Sequence, residues 1–505
     1  MEQLLVIAPI LLPLLSAIVV TIFWFNRRIQ STLNLVGSTG LFIIGIILFN
    51  EVWANGTQAV QVGQWPAPFG ITIVADMFSA VMILLTGLVA FVMAIYSTVV
   101  IDRRRKQFGY YSLINTLYMG VCGAFLTGDL FNLFVWFEVI LISSFVLLTL
   151  GGETRQLEGT FKYVTINLIA SALFLVGVGF LYGIAGTLNM ADLSVKLAQH
   201  PNQGLITVIA MFFLVAFGIK AAVFPMFFWL PASYHTPPIA ITAIFAALLS
   251  KVGVYSLIRT FTLLFVGNIG YTHTILLIIA GLTMVVGVLG AAAQFDMRRL
   301  LSMHIISQIG YMVMGLAINT QLGLAAAILH MGHNMIVKTN LLLVSGCINR
   351  LQGSFDIRTL GGIRNTYPVL SFIFIVSALS LSGIPPLSGF WSKFLLIKAG
   401  FEAGQYLIIA ISLIVSLVTL FSMTKIWNYV FWQDSPKSDY KSVLAPDKKI
   451  FTLENILMYL PMLIFTLSAI LIGLFPGYFF EVVNRAASEL LNPENYINTV
   501  LGGLQ

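Results

Sequence analysis

Charge is what this sequence has least of. Its 505 residues carry 19 acidic and 26 basic side chains, 9% of the chain, against 59% hydrophobic. An ordinary soluble domain is about 25% charged. So small a polar share excludes a soluble enzyme and a nucleic-acid-binding domain. Cysteine is nearly absent as well. Cys122 and Cys347 each lie inside an apolar run, with neither metal-ligand spacing nor a disulfide framework, so both read as small core residues. No cofactor or metal is expected.

What is abundant is apolar stretches. A helix needs roughly 20 apolar residues to cross a bilayer. Fourteen candidate spans lie at 4–25, 32–52, 72–100, 108–127, 130–150, 161–184, 205–230, 238–263, 273–294, 299–318, 322–348, 369–398, 405–431 and 452–476. The first has Glu2 before it and Arg27 and Arg28 after it. That is the reverse of a signal peptide, so it reads as a span. The fold class expected is an all-α polytopic membrane protein with 14 transmembrane helices.

The basic residues give the sides. After spans 1, 3, 5, 9, 11 and 13 come Arg27 and Arg28; Arg103, Arg104, Arg105 and Lys106; Arg155 and Lys162; Arg298 and Arg299; Arg350, Arg358 and Arg364; and Lys437, Lys441, Lys448 and Lys449. The other side receives only Lys196, Arg259, Lys398 and Arg485. The positive-inside rule then puts the odd connections in the cytoplasm and both termini outside. The localisation expected is the bacterial inner membrane.

Five lysines remain inside spans: Lys220, Lys251, Lys338, Lys393 and Lys425. Lys425, beside Trp427 and Tyr429, is expected to snorkel to the interface. The other four, with Glu138, sit deeper. A lysine at a helix centre costs about 2.5–3.5 kcal/mol on insertion scales, and such residues usually mark an ion or proton path. A carboxylate 4 Å from an ammonium contributes roughly 4 kcal/mol at an effective dielectric near 20. Opening and closing such a pair is therefore enough to release and bind a proton.

Two spans combine a lysine with a helix break. In "PVLSFIFIVSALSLSGIPPLSGFWSKFLLIK", Pro385 and Pro386 leave the carbonyls of Leu381 and Ser382 without their helical donors. Gly383 and Gly389 loosen the backbone further. Pro225 does the same to the carbonyl of Ala221, beside Lys220. Broken helices at matching places in two halves point to the site in transporters. Spans 7 and 12 are five apart, and an odd number of crossings inverts direction. Inverted five-helix repeats are expected over spans 4–8 and 9–13. The divisions follow: 1–107 with spans 1–3, 108–265 as the first repeat, 266–433 as the second, and 434–505 as a cytoplasmic loop, span 14 and an external C-terminal tail.

In span 11, His330, Asn334 and Lys338 fall at i, i+4 and i+8, one polar stripe. It reads either as a relay between the halves or as a seam holding helices together. His330 and His333 lack the Glu or Cys that would complete a zinc pattern. A metal-dependent enzyme is a weaker alternative for that reason. His304 is a possible point of cytoplasmic access, and Asp76, at the start of span 3, reads as an interfacial residue or a helix-packing anchor.

The motifs "FVWFEVILISS", "GIKAAVFPMFFWLP", "ALLSKVGVYSLIR", "FDMRRLLSMHIISQIGYM", "HMGHNMIVKTNLLL" and "LSGIPPLSGFWSKF" resemble, in order, those of the antiporter-like subunits shared by Mrp-type Na+/H+ antiporters and respiratory complex I. The resemblance covers most of residues 70–430. It implies proton translocation through hydrated half-channels, as a subunit of a multisubunit monovalent cation/proton antiporter rather than an enzyme. Glu138 and Lys220 then correspond to the ion pair of the first half, Lys251 to the inward link, and His330, Lys338 and Lys393 to the second half. The implied partners are a larger homologous subunit, small membrane subunits, protons and Na+; nucleic acid is not among them. The alternative is a proton-pumping subunit of complex I (NADH-quinone oxidoreductase) or a related membrane hydrogenase.

Overall fold

The computed structural model describes residues 2–434 and 452–502. Lys437, Lys441, Lys448 and Lys449, assigned above to the cytoplasmic loop, lie outside the described residues. Hydrocarbon offers no partner for a bare peptide group, so an apolar chain must satisfy its own backbone, and here it does so with helices. In chain order these are α1 (Glu2–Ile22), α2 (Arg27–Asn55), α3 (Met77–Val100), α4 (Arg103–Gln107), α5 (Tyr110–Leu126), α6 (Leu130–Thr149), α7 (Thr154–Ala185), α8 (Met190–Ala198), α9 (Gln203–Ala221), α10 (Trp229–Ser233) and α11 (Ile239–Leu263). There follow α12 (Ile269–Ala293), α13 (Met297–Ile318), α14 (Gln321–Gln352), α15 (Ile363–Thr366), α16 (Pro368–Ser382), α17 (Ser388–Glu402), α18 (Tyr406–Ile426), α19 (Leu453–Leu474), α20 (Pro476–Leu491) and α21 (Glu494–Leu501). A π-helical turn, Trp427–Trp432, continues α18.

Among the described residues, eleven helices are long and apolar enough to cross a membrane. The chain is an all-helical polytopic membrane protein. Three expected spans fall outside those eleven, each for a physical reason. α5 has only 17 residues. α14 has 32, but its polar stripe dilutes the hydropathy. The span at 369–398 divides at Gly383 into α16 and α17.

Other boundaries move. The third span was expected from residue 72. Instead Thr72–Ala75 forms β2, antiparallel to β1 (Gln58–Gln61), with Gln58 opposite Ala75. The helix starts only at Met77, where the Asp76 carboxylate and the Ser79 hydroxyl close a capping box. Arg27, Arg28, Arg155 and Lys162 belong to α2 and α7 rather than to connections. Arg259, counted above with the basic residues of the other side, is buried in α11. The segment expected above to be an external tail forms two helices, α20 and α21. Glu489 of α20 accepts the Met77 N–H at 3.0 Å, and Arg485 donates to the Val52 carbonyl.

The core explains where charge is tolerated. Every residue of α11 is buried, as are almost all of α13 and of α14 from Gly323 to Ile348. Their neighbours shield them from lipid, so they carry polar groups that a lipid-facing helix cannot.

Candidate functional site

The first half is built around the end of α9. Its last turn carries Lys220. Ala222 then takes a left-handed conformation (φ 61°), and an irregular stretch containing Pro225 leads to α10. The break is held from both sides. The Phe224 N–H donates to Thr283 Oγ1 at 2.9 Å, and the Trp229 indole donates to the Ile219 carbonyl at 2.9 Å. Gly253 of α11 packs directly on it; a Cβ there would stand 2.5 Å from the Ala221 nitrogen.

Lys220 is 7% exposed. Its ammonium donates to Ser171 Oγ at 3.1 Å and lies 5.2 Å from the centre of the Phe137 ring. Glu138 is the next residue of α6, yet it makes no ion pair with Lys220 within 4 Å, and its Oε1 is buried without a hydrogen-bond partner in the protein. The lysine therefore faces a hydroxyl and an aromatic ring, with the carboxylate one helical position away. Beside it lies a small pocket lined by Tyr163, Asn167 and Trp229 among others. The Tyr163 hydroxyl bonds the Ser144 hydroxyl at 2.6 Å.

In α11, Lys251 donates to the Ala246 carbonyl at 2.6 Å. Lys338 Nζ has no hydrogen-bond partner in the protein. Asn334, one turn earlier, donates to the His330 carbonyl at 2.9 Å, leaving its Oδ1 unpartnered. These atoms keep donors and acceptors free for water, which buried polar groups otherwise rarely do.

The second half is built around the gap between α16 and α17. Gly383 (φ 90°) ends α16. Lys393, in the second turn of α17, points back across the gap. Its ammonium donates to the carbonyls of Leu381 at 3.0 Å and Ser382 at 3.3 Å, and to Ser416 Oγ at 3.2 Å. These are the two carbonyls that the proline pair deprives of helical donors. The Tyr311 ring lies 4.8 Å from the same ammonium. Each imidazole of α14 is tied to a serine of α17: His330 Nδ1 to Ser392 Oγ, and His333 Nδ1 to Ser388 Oγ, both at 2.9 Å. Ser380 joins Ser388 across the gap at 2.9 Å. His304 Nε2 bonds Ser422 Oγ at 2.5 Å.

Residue order thus placed the amines, but not the hydroxyls that hold them. Ser171, Ser380, Ser388, Ser392, Tyr311 and Ser416 carry no mark of their role in the sequence. The signal available was spacing, since Ser388 and Ser392 sit at i and i+4 on α17 and so share a face. Lys425 is half-buried near the end of α18. It donates to the carbonyls of Ala292 and Gln294 at 2.7 Å each, closing the end of α12. Asp76 is an anchor of a particular kind: it pairs with Arg259 at 2.6 Å, both side chains buried. Among the described residues no group of three or more His, Cys, Asp or Glu is placed to hold a metal ion.

Known proteins share this architecture. Residues 127–419 match the family model described as NADH:quinone oxidoreductase/Mrp antiporter, transmembrane. The chain is 45% identical to a Na(+)/H(+) antiporter subunit of Alkalihalophilus pseudofirmus, over 98% of this chain and 99% of that one. It is 40% identical to the like-named antiporter protein of Bacillus subtilis, over 98% and 99%. A chain in the structure of the Mrp complex from Dietzia sp. DQ12-45-1b superposes with a TM-score of 0.90 at 30% identity, covering 99% of each. With its motifs in order, its two lysine-bearing breaks and these full-length relatives, the chain belongs to the NADH:quinone oxidoreductase/Mrp antiporter transmembrane family.

Proposed function

We propose that this chain is the proton-translocating subunit of a multisubunit monovalent cation/proton antiporter. What carries the reading is one repeated arrangement: each of two interrupted helices presents a buried lysine at its break, Lys220 at the end of α9 and Lys393 across the α16–α17 gap. Sodium is the exchanged cation, following the names of the full-length relatives. The same names make the chain one subunit of several, and the Mrp complex is an assembly of that kind. These names favour antiport over redox-driven pumping.

The finer architecture is part of the proposal. The chain crosses the membrane fourteen times, counting α5, α14 and the α16–α17 pair as crossings. Residues 1–107 precede a first repeat at 108–265 and an inverted second at 266–433, and 434–505 hold the last connection and span. Both termini lie outside the bacterial inner membrane, because the clusters at 27–28, 103–106, 298–299 and 350–364 fall on one side.

Glu138, Lys220, Lys251, His330, Lys338 and Lys393 carry the proton, with His304 as the access point on the basic side and Gly383, Pro225, Pro385 and Pro386 making the breaks. Lys220 exchanges its contact with Ser171 and Phe137 for one with Glu138. The approach of the carboxylate stabilises the ammonium, and its withdrawal releases the proton. At an effective dielectric near 20 this interaction is roughly 4 kcal/mol at 4 Å, the scale needed to load and unload a carrier.

The test uses the whole complex in sealed vesicles, following proton movement driven by added Na+. Glu138→Ala, Lys220→Ala and Lys393→Ala should each assemble and lose most of that movement. Wild-type exchange in Lys220→Ala vesicles would remove this lysine from the mechanism.

A further inference from the structure

α13 and α18 pack antiparallel, and each turns a polar stripe inward. On α13 the stripe is His304, Gln308 and Tyr311, at i, i+4 and i+7. On α18 it is Ser416, Thr419 and Ser422, at i, i+3 and i+6. The stripes are joined at both ends. His304 Nε2 meets Ser422 Oγ at 2.5 Å, and the Tyr311 hydroxyl meets Ser416 Oγ at 2.8 Å. Between the joints, Gln308 and Thr419 occupy the same level. Both are fully buried, and neither amide atom of Gln308 has a hydrogen-bond partner. A buried amide with both ends unmade is costly, which marks the level as one that takes up water. At its inner end the seam reaches the ammonium of Lys393 through Ser416, at 3.2 Å. At its outer end His304 Nδ1 is buried and free of protein partners.

We propose that this seam is a proton wire that loads Lys393 from the side of the basic connections, with Ser416, Thr419 and Ser422 as its hydroxyl rungs and Gln308 orienting the water between them. The proposal rests on the reading of Lys393 as a proton carrier. His304 accepts a proton at Nδ1 and releases one from Nε2 to the Ser422 oxygen. At rest the Ser422 and Thr419 hydroxyls donate to the carbonyls of Thr419 at 2.9 Å and Val415 at 2.8 Å. To conduct, each turns from its carbonyl, takes a proton on a lone pair and gives up its own on the far side, so no charge stays on the wire. The last proton passes to the neutral amine of Lys393 and makes the ammonium. Successive rungs are about 5–6 Å apart between Cβ atoms, one water molecule's reach.

The experiment measures Na+-driven proton movement by the whole complex in vesicles. Thr419→Val keeps the shape of the side chain and removes the hydroxyl; Thr419→Ser keeps the hydroxyl and removes a methyl. The wire predicts at least a tenfold lower maximal rate for Thr419→Val, an unchanged half-saturating Na+ concentration, and at least half the normal rate for Thr419→Ser. A packing role predicts the reverse order and overturns the proposal. Thr424→Val, on the exposed side of α18, should move protons normally. If Thr419→Val fails to assemble, Ser422→Ala decides: a large loss supports the wire, and a full rate overturns it. Full activity in Thr419→Val beside an inactive Lys393→Ala would overturn the wire alone. Full activity in Lys393→Ala would overturn the carrier reading as well.

Discussion

The ammonium of Lys393 lies 3.0 Å from the carbonyl oxygen of Leu381, twelve residues earlier in the chain. A proline pair strips a helix of donors, and the lysine beyond the break supplies one in their place. The interrupted backbone and the buried charge are thus one device: each satisfies what the other lacks.

Replacing Lys393 should therefore cost more than its charge. Lys393→Ala leaves two carbonyls near the gap without this donor, each worth about 1–3 kcal/mol when left unsatisfied. The purified complex should melt measurably earlier, and proton movement should be lost. A variant as stable as the parent would show that the carbonyls have other donors.

The Lys220 ammonium donates to Ser171 rather than to Glu138. A hydrogen bond to a charged donor is worth about 1.5–3 kcal/mol. Ser171→Ala should tip the lysine toward the carboxylate and slow exchange by about tenfold, with assembly intact. An unaltered exchange rate would mean that this contact has no part in the cycle.

Gly253 is required by proximity. A Cβ at this position meets the backbone of Lys220 and Ala221 at 2.5–2.8 Å, and main chain yields less readily than a flexible side chain. Gly253→Ala should lose about 1–3 kcal/mol of stability and reduce transport by displacing Lys220. Normal melting and normal exchange together would contradict this packing.

The Asp76–Arg259 pair gives a double-mutant test. Removing one partner of a buried pair typically costs 3–5 kcal/mol, whereas replacing both by apolar groups of similar volume is often near neutral. Asp76→Asn should cost somewhat less, because the amide oxygen still accepts from the Ser79 N–H. Arg259→Met should be strongly destabilising, and the double variant less so than the sum. Additive losses in thermal melting would show that the two are not coupled.

How much of this was legible beforehand differs by element. The apolar runs announce themselves, because a bilayer demands length and hydrophobicity in one uninterrupted piece. Lys220, Lys251, Lys338 and Lys393 stand out against that background for the same reason. The hairpin at 58–75 was hidden: Thr72, Ile73 and Val74 are as apolar as a helix start, and only pairing with Gln58–Gln61 makes them a strand. Arg259, inside the expected span at 238–263, was counted only for its side and not among the buried charges, because nothing local shows that Asp76, far away in the chain, waits to neutralise it.

By itself the sequence determined the medium and the inventory: many crossings, two broken helices, and a few amines too costly to bury without purpose. Hydropathy and proline act locally, so residue order carries them. The tertiary structure alone decided what each amine touches. Lys220 turns to Ser171 rather than Glu138, Lys393 turns back to Leu381, and His304 meets Ser422 on another helix. Those partners are set by which helices pack together and how they are rotated. No local pattern records that choice, because it follows from the packing of all the helices at once.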